Sequence, residues 1–112
     1  GQSGLEAKAS PVLEGVVKNV FKVEALTVPP GTEMVSFMLV PPDVNLANLQ
    51  PGDTEKMVQA LDVIGSDGWN ALLDTTKVKN GVYKLVVIPT VRRPSQEKPF
   101  LDWAQTEVIN KN

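Results

Sequence analysis

The chain has 112 residues, 42% hydrophobic and 21% charged, with 11 basic against 13 acidic side chains and a net charge of −2. That length suits one domain, and that apolar fraction suits a folded one. Cys and His are both absent, which excludes disulfides, thiol nucleophiles, imidazole bases and the usual structural zinc sites; the near-balanced charge leaves no basic footprint for nucleic acid.

Val, Ile and Thr together supply 27 residues, and the 8 Gly and 9 Pro are scattered singly or in pairs. Branching at Cβ stiffens χ1 and suits a pleated surface. Many short strands joined by turns are therefore expected, in an all-β sandwich or barrel. No apolar run approaches the ~20 residues a membrane-spanning helix needs. With no starting Met and no apolar leader, the chain reads as a mature product or an excised piece.

Residues 1–10 are small and polar without a period. They are expected to be a linker or a segment added in cloning, with the domain running over 11–112. Val16 and Val17 after Gly15 read as a short strand. Phe21, Val23 and Ala25 alternate with Lys22 and Glu24, which predicts a half-buried strand. Pro29-Pro30-Gly31-Thr32 marks a turn. Met34 to Val40 is apolar except for Ser36 and reads as a central strand covered on both faces. Pro41 and Pro42 end it, because Pro cannot donate to a sheet ladder.

Asp43 to Asp53 is a long polar connection. The stretch 54–63 is open between a short helix, capped by Asp53 or Thr54 with Met57, Val58 and Leu61 on one face, and an edge strand. After a turn at Ser66-Asp67-Gly68, Trp69, Ala71 and Leu73 alternate as a strand ending at Asp74-Thr75-Thr76. Asn80-Gly81 supplies residues that tolerate positive φ. Val82 to Val91 carries the strongest strand signal, with Tyr83, Leu85 and Val87 on one face. Arg92 to Pro99 is a polar loop. Residues 100–110 fit strand and helix templates equally.

The run from Asp67 to Val87 holds an aromatic strand, then Asp74-Thr75-Thr76, then Asn80-Gly81-Val82-Tyr83-Lys84-Leu85. It resembles the bacterial immunoglobulin-like domains of secreted and cell-surface proteins. Leu13 to Val17, Met34 to Val40 and Thr106 to Asn110 are similar to other strands of that family. The resemblance implies an Ig-like β-sandwich of about seven antiparallel strands in two sheets, covering about residues 11–110. It also implies an extracellular or cell-surface setting and a non-catalytic role. Its signature positions here are Asp74, Thr75, Asn80, Gly81, Tyr83 and Leu85. Independently of the family, Tyr83 has the layout of a tyrosine corner, its hydroxyl reaching back to backbone a few residues upstream.

The chemistry-bearing residues are few. Trp69 is expected in the core with Val17, Phe21, Val23, Val35, Phe37, Leu39, Leu73, Tyr83, Leu85 and Val87. Trp103 is a candidate sugar-stacking or partner contact, and Arg92 and Arg93, with Lys98, form a small basic loop able to meet a neighbouring domain. Asp43, Asp53, Asp62, Asp67 and Asp74 do not form a calcium-loop pattern. No Ser sits in a nucleophile elbow and no Gly-rich loop cradles phosphate. No enzyme activity, cofactor, metal, nucleic-acid partner or membrane insertion is expected. The leading expectation is a spacer or docking module that contacts neighbouring domains or a protein partner. A polysaccharide-binding accessory module and a subunit of a fibre, pilus or phage assembly are the alternatives.

Overall fold

A computed structural model describes residues 6–10, 15–66, 68–91 and 104–112. Its strands are β1 (Glu6–Ser10), β2 (Val16–Val17), β3 (Val20–Thr27), β4 (Thr32–Val40), β5 (Val58–Asp62), β6 (Trp69–Asp74), β7 (Gly81–Val91) and β8 (Ala104–Asn110). They form two sheets, one ordered β1-β3-β6 and the other β2-β8-β7-β4-β5. The fold is an all-β sandwich. Neighbouring strands run antiparallel, except that β2 lies parallel to β8.

The alternation in the sequence explains which face each strand buries. Val35, Phe37 and Leu39 on β4 meet Leu85 and Val87 on β7 across the ladder, and all five are sealed from solvent. Phe21, Val23 and Leu73 supply the opposing wall from the smaller sheet. Every residue expected in the core lies there except Trp69, which is half-buried and packs against the edge of the cluster. Trp69 starts its strand, so its ring reaches beyond the sheet and lies against Gly65: a Cβ at Gly65 would fall 2.3 Å from the indole.

The outer face of the larger sheet is covered as well. Met38, Val40 and Val86 form a second cluster with Val44, and Leu46 and Met57 pack on it. The long connection after Pro42 thus folds back over the sheet. It is shaped by Asn45, whose side chain accepts the Ala47 N–H at 2.9 Å, and by Asp53, which accepts that of Gln50 at 2.8 Å.

Three expectations are corrected or resolved. Glu6–Ser10 is not linker but a strand in register with Lys22 to Thr27. Its own residues carry little strand signal; the ladder offered by β3 sets its conformation. The ambiguous stretch is both things in succession, a single 3-10 turn at Asp53–Lys56 and then the edge strand β5. Residues 104–110 are strand, not helix.

Pro89 lies buried inside β7. The N–H groups of Ile109 and Lys111 bond to the carbonyls of Gly15 and Val17, so Asn110 and its alternate neighbours turn toward β7. By the same alternation Pro89 turns toward the β8 side, past the last described pairing at Ala104–Val87. The missing donor therefore breaks no described ladder bond.

Strand directions define two poles. At one lie the chain's entry into β1, the turn at Pro29–Gly31 and the β5–β6 connection. At the other lie the β2–β3 turn, the corner at 75–80 and the end of β8. Among the described residues no helix is long and apolar enough to cross a membrane.

Candidate functional site

The signature residues converge on the second pole. Tyr83 enters β7 from the core side, and its hydroxyl donates to the Lys79 carbonyl at 2.6 Å. This is the tyrosine-corner bond that the spacing predicts. Burial raises the Tyr83 phenol above its ordinary 10.0, and the nearby Asp43 carboxylate raises it further. Asp74 ends β6 and caps the following turn. It accepts from the Thr76 hydroxyl and N–H, which hold its carboxyl below the ordinary 3.8, with Lys77 adding to the effect. Leu85 is fully buried in the inter-sheet core.

Thr75 is also fully buried. Its N–H and its hydroxyl both donate to the Asn19 carbonyl, at 2.9 and 2.7 Å. Asn19 sits in the left-handed region, φ 55°, which Asn tolerates better than most residues. The Thr75 carbonyl accepts from Asn110 Nδ2 at 3.1 Å, and that same nitrogen donates to the Lys79 carbonyl at 3.1 Å. Asn110 is 1% exposed, so these bonds form away from water.

Asn112 closes the cluster. Its Oδ1 accepts the Asn19 N–H at 2.7 Å, and its Nδ2 donates to the Thr75 carbonyl at 3.2 Å and to Asn110 Oδ1 at 3.1 Å. Its backbone pairs with the Asn80 side chain: Asn112 N–H donates to Asn80 Oδ1 at 2.9 Å, and Asn80 Nδ2 donates to the Asn112 carbonyl at 3.2 Å. Three Asn side chains, those of Asn80, Asn110 and Asn112, one Thr and the Asn19 backbone thus tie the β2–β3 turn, the corner and the last strand into one clasp. The resemblance indicated Thr75 and Asn80, and the spacing indicated Tyr83. It did not indicate Asn19, Asn110 or Asn112, because isolated Asn residues near strand ends read only as turn formers.

Beside the corner runs an open groove of about 630 Å³. Asp43 and Lys56 stand on one wall, and Lys77, Lys79 and Val82 on the other. Lys56 pairs with Asp43 at 3.6 Å. Among the described residues, every buried side-chain nitrogen or oxygen has a partner. Among them too, no three acidic side chains gather closely enough to hold a metal ion. The cluster holds three chain segments together. Trp103, Arg92 and Arg93, with Lys98 and Asp67, lie outside the described residues.

No family model, curated protein or solved structure matches this chain.

Proposed function

We propose that the chain is a non-catalytic, immunoglobulin-like module of a larger bacterial extracellular or cell-surface protein. It holds neighbouring domains apart and in a fixed orientation. The observation that carries this reading is the polarity of the terminal strands. β1 starts at one pole, beside Thr27, and β8 ends at the other, beside Gly81. Modules of this polarity join in series without the chain doubling back. The clasp adds a fixed exit direction, since Asn112 is tied at both its side chain and its backbone. The tyrosine corner and the two-sheet core support the family reading through the same residues that carry the resemblance. Fold likeness alone specifies no ligand.

The test has two arms. Small-angle scattering of two copies joined end to end is expected to show an extended pair with a narrow distribution of lengths; side-by-side collapse overturns the spacer reading. Affinity electrophoresis through a polysaccharide panel is expected to show no retardation. Saturable retardation lost with Trp103→Ala overturns it in favour of a carbohydrate-binding module. Strand-mediated polymers in sedimentation overturn it in favour of an assembly subunit.

A further inference from the structure

We propose that Asn80-Gly81 is a self-modification site whose reaction with water is held back by the clasp, and whose product cannot re-form the clasp. The chemistry is intrinsic to the dipeptide. The Gly81 backbone nitrogen, having lost its proton to solvent, attacks Asn80 Cγ. A C–N bond forms, the Cγ–Nδ2 bond breaks, and Nδ2 leaves as ammonia. Water then opens the cyclic imide at either carbonyl, giving aspartate or isoaspartate. The net change is one water consumed and one ammonia released. Gly at the second position favours attack because no Cβ shields its nitrogen.

Three observations place this reaction under structural control. First, Asn80 is exposed, so water and base reach it. Second, both ends of its amide are occupied: Oδ1 accepts from the Asn112 N–H and Nδ2 donates to the Asn112 carbonyl. Turning Cγ toward Gly81 breaks both bonds. Third, the attacking nitrogen belongs to the first residue of β7, in register with Asn110. Since the Ile109 and Lys111 N–H groups bond to Gly15 and Val17 on the other side of β8, Asn110 faces Gly81, and the Gly81 N–H is engaged in the ladder. Reaction therefore requires the end of β8 to come away.

The product changes the clasp permanently. A carboxylate at position 80 still accepts the Asn112 N–H. It no longer donates to the Asn112 carbonyl, and places an anionic oxygen where a donor stood 3.2 Å from that carbonyl. Isoaspartate also adds a backbone atom between the corner and β7, displacing Gly81 from Asn110. Each brief opening of the exit thus carries a chance of becoming lasting.

The experiment follows the amide-to-acid mass gain of the tryptic fragment Asn80–Lys84 in folded protein held in warm, mildly alkaline buffer. A synthetic peptide of residues 77–86 serves as the unprotected reference. Wild type is expected to react at least about tenfold more slowly than the peptide, the protection conferred by one or two net hydrogen bonds. Asn112→Ala removes the side-chain anchors of residue 112 and is expected to recover most of that difference. Asn80→Asp, the product itself, is expected to speed amide exchange at Lys111 and Asn112. Equal rates for wild type and peptide overturn the proposal, and that comparison needs no variant. So does an Asn112→Ala protein that keeps its circular dichroism and reacts at the wild-type rate.

Discussion

The two poles of the sandwich are built on different principles. At the exit pole, Asn19, Thr75, Tyr83, Asn110 and Asn112 join three chain segments through side-chain bonds to backbone carbonyls and amides. At the entry pole the connections are local. Thr32 bonds back to Pro29 with both its hydroxyl and its N–H. Asp62 accepts from Ile64 and Asn70 at 3.0 and 2.8 Å, and Gly65 lies under the Trp69 ring. Beside them Leu61, Val63 and Ile64 stand more than half exposed. The contrast shows where the fold has placed its cooperativity. Losing one side chain at the exit pole loosens several segments at once. Losing one at the entry pole loosens a single turn.

Substitutions sharpen that contrast. Asn110→Ala is expected to cost the most, about 2–4 kcal/mol, since it removes three side-chain bonds at a buried position, although the Thr75 and Lys79 carbonyls keep Asn112 and Tyr83 as donors; chemical denaturation reads it directly. Gly65→Ala forces the indole aside and is expected to cost about 1–3 kcal/mol, with a shift in Trp emission. A cost as large as that of Asn110→Ala would erase the distinction between the poles.

Tyr83→Phe removes one bond while Asn110 still serves the Lys79 carbonyl, so about 1 kcal/mol is expected. It also carries a pH signature. The folded phenol titrates above its unfolded value of 10.0. The stability linked to it is therefore complete below that pH and is lost as pH rises through the folded value. Wild type is expected to lose stability there, and Tyr83→Phe to lose less across the same alkaline range. Ile64→Ser, at an exposed position of the entry pole, is expected to change stability by less than about 0.5 kcal/mol.

Much of the inter-sheet core was legible because alternation is a local signal. Val35, Phe37 and Leu39, and Tyr83, Leu85 and Val87, announce their buried face by their own spacing. The tyrosine corner was legible because its donor and acceptor lie four residues apart. The clasp was not, because its partners are distant in the chain: 93 residues separate Asn19 from Asn112, and 35 separate Thr75 from Asn110. No window of sequence holds both ends of such a bond. β1 was missed for a related reason, since Glu6 to Ser10 take their conformation from the edge that β3 presents. Trp69 is only half-buried because, although its phase matches Leu73, as the first residue of β6 it also lies against the turn at Gly65, at the edge of the core.

The parallel pairing of β2 with β8 gives the domain a mechanical character. If tension draws the two ends of the chain apart along the strand direction, β1 is pulled lengthwise against β3, and β8 lengthwise against β2 and β7. The bonds from Ile109 to Gly15 and from Lys111 to Val17, at 2.7 and 2.9 Å, are then loaded together in shear. None can be peeled singly, as bonds in a hairpin opened from its free end can be. The short β2 becomes a brake, and the Asn112 anchors beside it share the same load.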